Sequence, residues 1–229
     1  MPRGLATRNR IKQAALELFV AKGVLGTSVR DIAALAGIAE GGLYRHYASK
    51  EDLAWKLFSE NYAGFAKELS DLAKAKGNFE SRLGAMIHRF CRFFDEEPLL
   101  FRFLLLTQHQ ELPKLKSKSQ SPVQVLHRLV SDAARNGEIA VADIDLATAQ
   151  LLGLILQPAT FMVYGLLTPG MQKVEAETLA ACLKTTTPTD KILPLQGEGR
   201  IGAVGDGSVK AVRRRPPPGL PPEGGRRSA

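Results

Sequence analysis

Residues 27 to 53, TSVRDIAALAGIAEGGLYRHYASKEDL, constrain this 229-residue chain more than any other stretch. Val29, Ile32, Ala33 and Ala36 recur at i, i+3, i+4 and i+7, one apolar face of a helix. Ser28 with Asp31 three residues on predicts a capped helix start, the Ser oxygen closing free N–H groups. Gly37 lets the backbone turn without a Cβ clash, and Leu43 is then placed to pack back onto Ile32 and Ala36. A short helix, a tight turn and a second short helix, from about Glu40 to Tyr47, form a helix-turn-helix. Gly41 and Gly42 each cost that second helix about 1 kcal/mol relative to Ala. Such a cost makes sense where backbone must come close to another molecule, and a DNA edge is the obvious candidate. Tyr44, Arg45, His46 and Lys50 follow, a set of donors suited to phosphate oxygens. Ser49 and Asp52 are expected to cap the next helix.

With those residues in place, the segment from Gly26 to Leu53 resembles the DNA-binding head of the TetR family of bacterial transcriptional regulators. The glycine, Leu43-Tyr44, His46-Tyr47 and Ser49-Lys50-Glu51 positions all fit the pattern. The resemblance implies an all-α protein, with an N-terminal three-helix helix-turn-helix head joined by a long helix to a C-terminal helical ligand-binding and dimerisation domain. It implies Glu40, Gly41, Gly42 and Arg45 near bases, and Thr27, Tyr44, His46 and Lys50 on phosphates. Ala39 departs from the pattern, since a Ser or Thr usually opens the recognition helix. Losing that cap costs about 1 kcal/mol, although Glu40 stands where the helix dipole favours an anion.

Charge agrees with a polyanion partner. The formal net charge is +8, and its excess lies at the two ends. Residues 1 to 60 carry nine Lys/Arg against six Asp/Glu, residues 61 to 183 carry thirteen of each, and residues 184 to 229 carry nine against four. A basic head on a neutral body suits a nucleic acid. Arg3, Arg8 and Arg10 precede a helix face of Ile11, Ala15, Leu18 and Phe19, and are placed for phosphate or minor-groove contact or for solvent. Cys91 and Cys182 are far apart and form no C-x-x-C, which points to a reducing cytoplasm and two buried thiols. The N-terminus lacks the apolar run of a signal peptide.

Further along, Leu53, Leu57, Phe58, Tyr62, Phe65, Leu69 and Leu72 keep helical spacing, predicting a lever helix from about Lys50 to Lys74. Leu83, Met86, Ile87, Phe90 and Phe94 predict another. Pro98 opens PLLFRFLLLTQHQEL, apolar almost all round and so expected to be a buried central helix. Lys114, Lys116 and Lys118 mark a solvated loop, and Pro122 opens a helix closed by Gly137. The apolar run from Asp145 to Leu167 has the length of a membrane span. Gln150, Gln157, Pro158 and Thr160 interrupt it, so a packed core or interface helix, kinked by Pro158, is expected instead. From residue 186 prolines, glycines and arginines dominate, the composition of a disordered tail. The G-x-G-x-x-G at 197–202 has no βαβ context and is no dinucleotide site. The expected organisation is a DNA-binding domain over 1–50, an effector-binding and dimerisation domain over 51–185, and the tail.

Two function classes follow: a ligand-switched DNA-binding regulator, and an enzyme carrying a DNA-binding head. No H-E-x-x-H, nucleophile elbow or P-loop is present, and the four histidines are scattered. No catalytic residue, metal or cofactor is expected. The body offers Phe65, Met86, Phe90 and Phe94 as candidate ligand contacts, followed by Phe103, His109, Gln157 and Phe161. Gln108 is a further polar handle in what would be an apolar pocket. The family resemblance implies a repressor acting in the bacterial cytoplasm at the nucleoid. Its partners would be a double-stranded operator, a small hydrophobic or amphipathic effector, and a second copy of itself bound through the last two helices, with no membrane.

Overall fold

The computed structural model describes residues 3–115, 121–168 and 170–186. Among them are nine α-helices and no strand: α1 (Arg3–Lys22), α2 (Val29–Ala36), α3 (Glu40–Tyr44), α4 (Lys50–Ala73), α5 (Phe79–Glu96), α6 (Pro98–Glu111), α7 (Pro122–Arg135), α8 (Ile144–Val163) and α9 (Glu175–Thr186). The protein is all-α, as the sequence predicts.

Local signals account for most helix starts. Ser28 Oγ accepts from the Asp31 N–H at 3.0 Å and Asp31 accepts from the Ser28 N–H at 3.3 Å, completing the predicted box on α2. Ser49, Asn78, Ser121 and Asp143 likewise accept a backbone N–H three residues on and cap α4, α5, α7 and α8, Ser121 with a full box through Gln124. Gly37 ends α2 at φ 64°, a left-handed turn that a side chain would strain. Ala39 makes no side-chain cap, as its methyl group dictates.

Two helices depart from their expected bounds. The recognition helix ends at Tyr44, because the His46 and Tyr47 N–H groups both turn back to the Leu43 carbonyl and Tyr47 is drawn into the core, 1% exposed. A 3₁₀ turn over Met171–Val174 precedes α9, which therefore starts at Glu175. The same helix runs on to Thr186, which is buried and accepts from the Ala140 N–H at 3.2 Å. That residue, expected in the tail, belongs to the fold. The rest of the tail, the 197–202 glycines, Lys116 and Lys118 lie outside the described residues. So does the Arg3 side chain.

α1 packs against α2, α4 and α6, so the head rests on the body through side chains. Phe19 of α1 stacks on Phe103 of α6, ring centres 5.9 Å apart. The boundary expected at residue 50 falls at the first residue of the continuous α4, whose Leu53 and Phe58 are fully buried. α6 is buried on one side only, with Leu106 43% exposed and Arg102, His109 and Gln110 on the outside. Its apolar composition suggested burial all round, but α1, α4 and α5 cover only the flank that carries Phe101, Phe103 and Leu104.

α8 is long and apolar enough to cross a membrane by length and composition. It lies against α7 and α9, burying Ala147, Leu151, Ile155, Ala159 and Met162. The helix continues through Pro158. At the other end of this layer Asp95 of α5 accepts the backbone N–H groups of Met171 and Gln172, each at 2.9 Å.

Candidate DNA-reading edge and apolar cavity

The helix-turn-helix is held by one inward anchor. Leu43 is the buried residue of α3 and shares its core with Ile32, Ala36 and Tyr47. Glu40, Gly41, Tyr44 and Arg45 face outward, Tyr44 being 56% exposed. Gly42 is partly covered, and a Cβ there would meet Ile38 at 3.5 Å, ordinary contact. At Gly41 a Cβ would meet nothing, so neither glycine is required by this chain's own packing. His46 is half-buried beside the Tyr47 ring. The structure thus gathers Glu40, Gly41, Gly42, Tyr44, Arg45 and His46 along one short edge.

Thr27 and Lys50 stand differently. The Thr27 side chain is buried and its hydroxyl donates to the Gly23 carbonyl at 2.8 Å, an internal turn bond. Gly23, at φ 74°, ends α1 there. Lys50 Nζ donates to the Thr27 carbonyl at 2.7 Å and lies 3.6 Å from Glu51, its side chain 15% exposed. Lys50 is therefore a clasp between the α1–α2 turn and α4, with the remaining ammonium hydrogens free to turn outward. We expect Lys50→Ala to weaken binding to every duplex alike and to make the salt dependence shallower by about one unit. A salt slope unchanged in filter-binding titrations would reduce Lys50 to the clasp alone.

Arg8 is also engaged within the fold. Its Nε donates to the Tyr47 hydroxyl at 3.3 Å and its guanidinium lies 3.5 Å from Glu60, contacts that raise its pKa through Tyr47 first. Lys12 joins the same Glu60 at 2.6 Å. These pairs fix α1 onto α4. Asp52 is held below the ordinary carboxylate range by hydrogen bonds from Lys56 and then from the Ala48 N–H.

In the body a cavity of about 250 Å³ opens between α4, α5, α6, α7 and α8. Of the predicted ligand contacts, Phe65, Met86 and Phe90 line it, and so does Gln108. The others are placed elsewhere. Phe94 is buried on Phe101 at 5.0 Å, and Phe103 is the residue beneath Phe19. His109, Gln157 and Phe161 lie on exposed outer faces. Lining residues that the sequence did not single out for a ligand include Tyr62, Phe93, Phe101, Leu104, Leu126 and Ile155. Tyr62 and Leu104 look like core positions in a single sequence, and no signal there separates the two uses.

Protein interiors contain few voids larger than a water molecule. This one is lined almost wholly by apolar side chains and opens to solvent, the form of a small-molecule site. The space is better understood as room for a molecule than as a packing defect. Val123, 38% exposed, marks its mouth.

Neither cysteine offers a nucleophile. Burial, with help from Glu175 and Asp95, pushes the Cys91 thiol up to about 12, and burial pushes Cys182 up to about 11. His88 pairs with Glu175 at 3.0 Å, and the described residues contain no group of three or more potential metal ligands.

The comparisons with known proteins agree with this geometry. The family described as "Bacterial regulatory proteins, tetR family" matches residues 11–60, from the buried face of α1 into α4. The fatty acid metabolism regulator protein of Bacillus subtilis is 25% identical over 159 residues, 67% of this chain and 82% of that protein. The transcriptional repressor KstR2 of Mycolicibacterium smegmatis is 29% identical over 150 residues, 61% of this chain and 71% of that protein. Among solved structures, the transcriptional regulator FadR from Bacillus subtilis in complex with stearoyl-CoA superimposes with a TM-score of 0.62 at 22% identity, covering 77% of this chain and 98% of that one. Residues 11–60, which hold the helix-turn-helix anchored by Leu43, thus carry the regulatory-protein head of the tetR family, on a helical fold shared with these solved structures.

Proposed function

We propose that this protein is a DNA-binding transcriptional repressor, released from its operator when a small hydrophobic or amphipathic molecule fills the cavity of the body. The observation that carries the reading is α3 itself. Leu43 anchors it, while Glu40, Gly41, Tyr44 and Arg45 are left facing outward, uncovered by the described residues. Arg45 is the residue suited to a guanine edge, which accepts a bidentate guanidinium in the major groove. Arg45→Ala is expected to relax preference at one base position by roughly 1–3 kcal/mol. Binding to a set of operators differing at single positions measures this, and a uniform loss across the set would turn Arg45 into a backbone contact.

Two copies are needed to span a palindromic site. Leu146, Gly153, Gln157 and Phe161 form an exposed strip on α8, where Leu146 is 56% and Phe161 39% exposed, and a Cβ on Gly153 would meet nothing in this chain. A second copy pressed against α8 and α9 would cover that strip. The dimer would then set two reading helices about 34–36 Å apart, or a multiple of that, on one face of the duplex.

α6 supplies the link between the two sites. Phe101, Leu104 and Gln108 line the cavity, while Phe103 on the same helix carries Phe19 of the head. A molecule that wedges the cavity shifts α6, and α1 with it. Release is then limited by how much the ligand prefers the shifted form. The Bacillus subtilis regulator solved with stearoyl-CoA supports an acyl chain as the kind of molecule involved. The protein would act in the cytoplasm at the nucleoid, as a regulator and not as a catalyst.

A further inference from the structure

The cavity walls restrict the effector more narrowly than "hydrophobic". Among the described residues no Lys, Arg, His, Asp or Glu lines the cavity, and the polar side chains that do are Gln108 and Tyr62. Burial raises the Tyr62 pKa, which keeps the phenol neutral, and its ring stacks on Phe58 at 5.1 Å. An ionised group carried inside would lose its hydration with no opposite charge to meet it, a far larger penalty than for an amide or a hydroxyl. Gln108 offers two N–H donors and a carbonyl acceptor, enough to satisfy one carbonyl, ester or hydroxyl.

Size adds a second restriction. A cavity of about 150 Å³ holds one benzene, six carbons. At that density the 250 Å³ here holds a chain on the order of ten carbons. The walls that bound it, among them Leu83, Ile87 and Phe93, are buried in the packed core, and cores resist overfilling.

We propose that the part of the effector inside the cavity is an uncharged chain of about ten carbons with at most one neutral polar group, held by Gln108, and that any charged part of the molecule stays outside the mouth at Val123. This rests on the reading of the cavity as the effector site.

The test uses the full chain and two probe series: methyl esters of straight-chain saturated acids from six to eighteen carbons, and the matching carboxylates. Binding is followed by calorimetry, and release by fluorescence anisotropy of an operator fragment selected from a random pool. Ester affinity is expected to rise up to about ten carbons and to gain little beyond, because further carbons stay outside the mouth. The ten-carbon carboxylate should bind about tenfold or more weaker than its ester near neutral pH and approach it as acid protonates it. Leu104→Phe, which narrows the cavity, should make affinity level off at shorter esters. Gln108→Leu should weaken esters while sparing a plain alkane of equal length. Affinity that climbs steadily to eighteen carbons, or carboxylates that bind as tightly as esters, would overturn the proposal and leave the effector site standing. Failure of every ester to bind, or ester binding that leaves the DNA complex intact, would remove the effector site itself and this proposal with it.

Discussion

Leu43→Ala should destabilise the head by about 2–5 kcal/mol and abolish sequence-specific DNA binding. Leu43 is 0% exposed and is the buried residue of α3. A five-residue helix cannot hold its own conformation in water, because nucleation costs more than so few hydrogen bonds return. Its shape is therefore borrowed from the scaffold through this one side chain. Truncating it removes contact with the core that Ile32, Ala36 and Tyr47 share and lets the outward edge fray. Thermal unfolding measures the first effect and competition between operator and random duplex the second. If specificity survives the truncation, α3 is not the reading element.

Phe103→Ala is the second large effect, about 3–5 kcal/mol by the usual cost of emptying a buried aromatic site. Phe103 is 1% exposed and meets Phe19 across the α1–α6 junction. The side chain does not line the cavity, so ligand affinity should change little. What should change is the coupling: methyl decanoate would still bind while releasing DNA far less effectively than from the unaltered protein. Comparing the two titrations on the same preparation separates these outcomes. Equal release by both proteins would place the route through α4, which also joins the head to the cavity.

Much of the fold could be read from local sequence. Ser28 with Asp31, Gly37, Pro122 and the apolar spacing from Leu53 to Leu72 each act within one or two turns, and each fixes an element where expected. The outward edge of α3 was legible for the same reason, since leaving Leu43 inward puts its neighbours outside. The ligand cavity was only partly legible. Phe90 and Phe94 lie on one helix one turn apart, yet Phe90 faces the cavity while Phe94 fills the core beside Phe101. Both rings pack on Phe101 of α6, at 5.4 and 5.0 Å, yet only Phe90 reaches the cavity, and periodicity along α5 contains no trace of that. Phe103 likewise faces the head because α1 happens to cross there. Lys50 and Thr27 illustrate the limit for polar groups: their clasp joins residues 23 apart, and from the sequence alone both looked free for phosphate.

Asp95 bears on how far the two functional surfaces can be independent. One carboxylate fastens Met171 and Gln172, 76 and 77 positions further on, to the end of α5. α5 is also a wall of the cavity, through Met86 and Phe90. The turn that leads into α9 is thus riveted to the helix that walls the cavity and is not a free arm. Pressure exerted by a neighbouring subunit and pressure exerted by a bound guest would reach the same piece of backbone, so the strength of pairing and the occupancy of the cavity become quantities that constrain each other.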